Sequence, residues 1–345
     1  MKKYIVEVLM EKHRNAMSKA KADVQKIALE CGYTPVQVAQ VDNRIKRRLV
    51  TRYRISKNFQ FLENDDVLLV QYPTYMGRFF ENNLINFATK KGTKTIAIIH
   101  DIDVLRFGSN GFPTLEEVVS QLNMYDVVIA SNIDMAQLLR NSGLNTTVQD
   151  LQIFDYLHDI KINEMKKKES ILNFAGNLDK SKFLYNFDIN QGIKLNLFGS
   201  VKDKEKLPAN STYNGSFEPE ELPKMFEAGY GLVWDGDSAQ RMTGLLGNYQ
   251  KYNNPHKVSL YLSSGLPVII WEKAALAKFI IRYNLGITLN SLDEVEARLA
   301  RVSDQQYAEM VHNCCEVSKR LTEGYYTKHA ISNAEKVINA KNRSI

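Results

Sequence analysis

The chain has 345 residues, 44% hydrophobic and 24% charged, which is the balance of a globular protein with room for two ordinary domains; wholesale disorder is excluded. A formal net charge of +6 favours anionic ligands only weakly, and there is no dense alternation of basic and aromatic residues of the kind that lines nucleic-acid grooves. Three cysteines (Cys31, Cys314, Cys315) and six scattered histidines give neither a disulfide framework nor a zinc-binding spacing, a reduced and cytoplasmic pattern.

The N-terminus runs straight into a β-branched strand at 3–9 without a signal peptide's apolar core, and no apolar run approaches membrane-spanning length. A polar loop at 11–15 precedes a helix whose apolar face is Met17, Ala20, Val24, Ile27, Ala28 and Cys31, closed by Gly32. A second strand is predicted at 36–41. Residues 44–57 are strongly basic and read either as a helix or as a solvated connection. Strands at 66–71, 95–99 and 127–130 then alternate with helices at 75–90, 115–124 and 133–139. This rhythm describes parallel βαβ units in an open doubly wound sheet. Ligands of such sheets sit beyond the carboxyl ends of strands, which singles out the loops at 11–15, 71–75 and 100–106.

The rhythm breaks at 151–170, where the charged run Lys166-Lys167-Lys168-Glu169 reads as an interdomain linker, and then restarts. Strands at 171–175, 194–198, 230–234, 266–270 and 286–289 alternate with helices at 181–185, 220–228, 274–281, 294–299 and 307–321, and a last helix runs from 326. The expected division is 1–155, a linker at 156–169, a second domain at 170–322 and a closing helix at 323–345.

The stretch Asn253-Asn254-Pro255-His256-Lys257 opens a further helix that Gly265 ends. Asn254 suits the N-cap and Pro255 the first helical position. A helix start offers unpaired N–H groups and the positive end of the macrodipole, and Lys257 adds a full charge, so a diphosphate would fit there; a capped turn with a solvated lysine is the alternative. Gly176 to Lys182 opens another helix after a strand, with Lys180 and Lys182 able to meet a phosphate, although neither G-x-G-x-x-G nor a P-loop is present. Tyr213 could stack on a base or pack within its loop. Trp234 and Asp235 end a strand at the rim, and the long polar segment 235–253 beyond them has the length of a lid. His100, Asp101 and Asp103 follow a buried strand and could supply a general base, with Asp103 and Arg106 spaced to pair with each other.

Together the HDIDVLR stretch, GLVWDGD and above all YNNPHKVSLYLSSGLPVI resemble GT-B glycosyltransferases. The resemblance is to the bacterial group of galactofuranosyltransferase-like proteins and the glucosyltransferases that extend O-linked GlcNAc on serine-rich-repeat adhesins. It implies an α/β fold of two Rossmann-like domains facing across a cleft, with the C-terminal helix crossing back. UDP-sugar would bind the second domain and the acceptor the first. By position it implies that Asn254 and Lys257, with His256 between them, hold the diphosphate. Tyr213 lies on the uracil side, Lys180 or Lys182 serves as a basic phosphate ligand, and Asn15, Ala16 and Met17 reach the donor. The reaction expected is metal-independent transfer of a hexose, glucose or galactose/galactofuranose. The acceptor would be a sugar hydroxyl of a glycoprotein or polysaccharide precursor, with UDP-sugar as substrate and no cofactor. A homo-oligomer, no nucleic-acid partner and no transmembrane segment are expected. The alternatives are a nucleotide-sugar epimerase of the same architecture and a non-catalytic nucleotide-sugar-binding partner.

Overall fold

A computed structural model of the chain describes residues 1–9, 16–40, 44–187 and 192–342. The fold contains two compact units. One runs to Gln152 and takes up the chain again at Tyr326; the other is Ile153–Tyr325, joined by the first turn of the helix at 16–19. No described helix is long and apolar enough to cross a membrane.

The N-terminal unit is a parallel sheet of β1 (Lys3–Leu9), β2 (Thr34–Ala39), β3 (Val67–Tyr72), β4 (Lys94–Ile99), β5 (Val127–Ala130) and β6 (Thr147–Asp150), in the order β2-β1-β3-β4-β5-β6. Its connections carry α1 (Ala16–Glu30), α2 (Arg44–Phe59), α3 (Arg78–Lys90), α4 (Asp103–Phe107), α5 (Leu115–Leu122) and α6 (Ile133–Asn141). Residues Val67 to Val70 and Ile96 to Ile99 are wholly buried, as expected of central strands covered on both faces. The basic stretch at 44–57 is thus a helix. Its Thr51, Ile55 and Phe59, one turn apart, are buried and seat it on the unit.

The C-terminal unit is a second parallel sheet of β7 (Lys167–Ala175), β8 (Lys194–Phe198), β9 (Ser211–Gly215), β10 (Ala228–Val233), β11 (Val268–Trp271) and β12 (Gly286–Leu289). Its order is β12-β11-β10-β7-β8-β9, the Rossmann arrangement, whose direction of winding reverses between β7 and β10. The helices are α7 (Gly244–Tyr249), α8 (His256–Ser263), α9 (Ala277–Arg282), α10 (Val295–Ala300) and α11 (Asp304–Thr322). The last helix, α12 (Tyr325–Asn342), belongs from Tyr326 to the N-terminal unit. There Glu335 pairs with Lys3 at 2.8 Å and accepts from the Tyr33 hydroxyl at 2.8 Å, while Lys328 pairs with Glu30.

Several local expectations change. The break falls at 152/153 rather than after 155. The charged run expected as linker opens β7 instead, because Lys167 pairs with Ala228 of β10. Ile153, Phe154 and Tyr156 are buried, and the Tyr156 N–H donates to Leu321 O, which ties the supposed connection into the C-terminal unit. Residues 181–185 and 220–228 form 3₁₀ turns, at Lys182–Asn186 and Leu222–Met225, rather than α-helices. The supposed lid carries a helix of its own, α7.

Candidate active site

Two places beyond the carboxyl ends of strands gather the residues singled out above, one in each unit.

In the C-terminal unit the place is the reversal point between β7 and β10. α8 is keyed onto it by Tyr261, whose hydroxyl accepts a hydrogen bond from Ala175 N–H at the end of β7, 2.8 Å away. The Tyr261 ring lies against Gly231 of β10; a Cβ there would sit 2.2 Å from the ring, so only glycine allows the approach. Lys257 is one turn before Tyr261 on the same face of α8, and its Cε comes within 3.5 Å of where a Cβ on Gly176 would stand. The Lys257 ammonium donates to Asp235 Oδ1 at 3.2 Å and to Trp234 O at 3.4 Å, and lies 4.4 Å over the Phe174 ring. The other Asp235 oxygen accepts from the buried Gln250 amide at 3.1 Å. A half-buried cation is thus aimed across Gly176 beside the amino end of α8, where the N–H groups of His256 and Lys257 precede the first helical hydrogen bond, from Val258.

The surroundings of this lysine differ from the expectation. The helix starts at His256 with Pro255 in the cap position, since Val258 N–H bonds to Pro255 O; Asn254 is therefore buried one residue ahead of the cap rather than serving as it. The His256 ring turns to the segment behind. It stacks on Tyr156 with centroids 4.9 Å apart and has Nε2 3.3 Å from Asp155 O, and burial pulls its pKa down to about 4. A neutral imidazole facing away offers a ligand only its backbone. The Trp234 indole is wholly buried and donates to Ser238 O, so its ring presents no face to a nucleotide; its carbonyl is what reaches the site. Lys182 is exposed and 3.6 Å from the exposed Asp237, a weak pair, and Lys180 is exposed. Tyr213 donates its hydroxyl to Gly199 O and carries the Lys204 ammonium 5.0 Å from its ring centroid. Of the expected residues at the amino end of α1, Asn15 lies outside the described residues, and the backbone of Ala16 and Met17 opens the helix.

In the N-terminal unit a cavity of about 560 Å³ lies beyond β3 and β4, walled by Arg47 and Arg48 of α2, Tyr75 and Arg78, and Asp101 and Asp103. Tyr75 holds a positive φ of 60°, and among the described residues its hydroxyl and the Arg78 Nε are buried without a hydrogen-bond partner. Lys21 of α1 donates to Pro73 O at 2.5 Å and lies 4.6 Å over the Tyr75 ring; burial pulls its pKa to about 8 against the pull of Glu81, Asp101 and Asp103. The three expected base candidates separate here. His100 is buried with Nε2 2.8 Å from Gln71 Oε1 and is not among the cavity walls. Asp101 pairs with Arg106 at 2.9 Å, taking the arginine whose spacing suggested Asp103. Asp103 lines the cavity, and burial raises its pKa, against the lowering by Arg106 and Lys21. A carboxylate made more basic at a cavity wall is the chemistry of a general base.

Sequence reasoning missed Phe174, Gln250, Tyr261, Lys21 and Arg78, whereas Tyr75 ends the loop 71–75 that it had singled out. For Tyr261 the signal was Gly231, a glycine inside a buried strand pattern that marks a close approach. Among the described residues no group of three His, Cys, Asp or Glu is placed to hold a metal ion.

Residues 2–153 match the model for the Glucosyltransferase 3-like N-terminal domain and 172–334 that for its C-terminal domain. The chain is 32% identical over 337 residues to beta-1,6-galactofuranosyltransferase WbbI of Escherichia coli (strain K12), covering 95% of this chain and 97% of that one. It is 27% identical over 317 residues to glucosyltransferase 3 of Streptococcus gordonii, covering 91% and 92%. Among solved structures it superposes on the α,α-trehalose 6-phosphate synthase of Burkholderia multivorans with a TM-score of 0.58 at 13% identity, over 99% of this chain and 100% of that one. The resemblance read from the motifs is borne out, as is the GT-B fold class: two six-stranded parallel sheets with helices. The chain belongs to the Glucosyltransferase 3-like family and is a glycosyltransferase of GT-B fold.

Proposed function

We propose that the protein transfers a hexosyl group, glucose or galactose/galactofuranose, from a UDP-sugar to a sugar hydroxyl of a glycoprotein or polysaccharide precursor, with no divalent ion taking part. The observation that carries this reading is Lys257, held by Asp235 and the Trp234 carbonyl at the reversal point of the C-terminal sheet beside the start of α8. The diphosphate binds there, with one oxygen on the Lys257 ammonium and others on first-turn N–H groups. As the anomeric C–O bond breaks, charge grows on the departing β-phosphate. A fixed cation and fixed dipoles already face it, so they stabilise the transition state more than the ground state.

The acceptor sugar occupies the N-terminal cavity, whose volume suits a small glycan. Tyr75 and Arg78 wall the space it fills, and Asp103 takes the proton of the attacking hydroxyl as the new glycosidic bond forms.

The test is transfer from a panel of UDP-sugars to simple GlcNAc- and galactose-bearing acceptors, read by mass, with and without chelator. UDP-dependent transfer that survives chelation supports the reading. Loss of transfer with chelator, or no calorimetric binding of UDP, overturns it. Isomerised sugar without acceptor would identify an epimerase, and donor binding without turnover a non-catalytic partner.

A further inference from the structure

Helix α2 has two stripes, and the fold uses only one of them. Thr51, Ile55 and Phe59 are buried against the unit. Ile45, Leu49 and Tyr53, at the same i, i+4, i+8 spacing on another side, are 75%, 78% and 68% exposed. A globular helix needs one apolar stripe to dock, and a second one left in water points to a partner. Basic residues border that stripe on both sides. Arg48 and Arg52 flank it on one edge, steadied over the Phe79 ring of α3 at 5.2 and 5.9 Å, and the exposed Lys46 and Lys57 flank it on the other. The helix carries seven basic residues and no acidic one. Taking these seven from the chain's 45 leaves 38 basic against 39 acidic residues, so α2 accounts for the entire net positive charge.

We infer that the outer face of α2 is a docking surface for a lipid bilayer rich in anionic headgroups, with Ile45, Leu49 and Tyr53 entering the headgroup boundary and the flanking cations meeting phosphates. An apolar row between two cationic edges is the arrangement of an interfacial amphipathic helix. A second copy of the same face would bring two all-cationic helices together, so charge disfavours self-pairing. The inference is independent of the donor and acceptor assignments above.

The experiment is sedimentation of the full chain with phosphatidylcholine vesicles that lack or contain about 30 mol% phosphatidylglycerol, at low and high salt. The expected result is at least about tenfold more binding to the anionic vesicles, reduced several-fold by salt. Replacing Ile45, Leu49 and Tyr53 together by serine, or Arg52 and Lys57 together by glutamine, lowers binding about tenfold without changing thermal melting, since these side chains are exposed. No binding to anionic vesicles, equal binding to neutral ones, or tighter binding to a single-stranded RNA would overturn the inference. So would a fall in the particle mass of the triple serine variant in sedimentation velocity, which would make this face an interface between copies.

Discussion

The ammonium of Lys257 stands 4.4 Å from the centroid of the Phe174 ring. One is on α8 and the other on β7, so the pair fixes the helix start against the strand end that it overlooks. The ring's negative face and the Asp235 carboxylate hold the charge in place before any ligand arrives. A preset charge costs little reorganisation when a phosphate replaces part of that shell.

Lys257→Met keeps the stem length and removes the charge. UDP binding should weaken by about 10- to 100-fold, the range of one charge-assisted hydrogen bond, with far-UV circular dichroism unchanged. Isothermal titration with UDP checks it, and wild-type affinity in the variant would remove Lys257 from the site.

Gly231→Ala places a methyl group where the Tyr261 ring now lies. The ring or α8 must shift, at a cost of roughly 1–3 kcal/mol in stability, and the shift passes to Lys257 one turn away. Thermal melting should fall together with UDP affinity. Tyr261→Phe keeps the ring and loses only the bond to Ala175, so it should do less harm to both.

Asp103→Asn should lower kcat by roughly 10²- to 10⁴-fold while leaving UDP affinity unchanged. Its effect on stability has the opposite sign. Burial raises the folded-state pKa of Asp103 above the ordinary 3.8. Its contribution is therefore full below that value and lost as pH rises through the raised one, where a charge is held out of water. The asparagine variant should gain melting temperature relative to wild type at pH 8 and not at pH 3. In the wild type, the acid limb of kcat/KM should sit above the usual carboxylate range and disappear in the variant.

His256 gives the C-terminal unit an acid sensitivity. Its pKa falls from 6.5 to about 4 because burial disfavours the charged ring. The unfolded chain thus takes up a proton first, and stability present above pH 6.5 is lost between there and about pH 4. His256→Phe keeps a ring against Tyr156 and removes the titration, so it should flatten that loss by on the order of 2 kcal/mol, read from denaturant unfolding at pH 7 and 4.5.

Much of this was legible in the chain. Buried strands such as 67–70 and 96–99 declare themselves by unbroken apolar runs, and Pro255 with Gly265 brackets α8 from sequence alone. What stayed hidden depends on distance along the chain. Phe174 and Lys257 are far apart in sequence and meet only because α8 crosses the end of β7. The local pattern favoured Asp103, three residues before Arg106, whereas Asp101 lies ahead of α4 and reaches the arginine from five residues away. The apolar row of α2 was masked by its charges, and whether those residues formed a helix was settled only by the buried Thr51, Ile55 and Phe59.

The ties from α12 to the first strands have a consequence for how the molecule comes into being. Lys3 and Tyr33 precede Glu335, which both of them reach, by 332 and 302 residues. The N-terminal unit therefore completes its surface only after the C-terminal unit has been made. A nascent chain or a truncation stopping short of Tyr326 would leave the apolar side of α12, with Ile331, Ala334 and Ile338, missing from its seat.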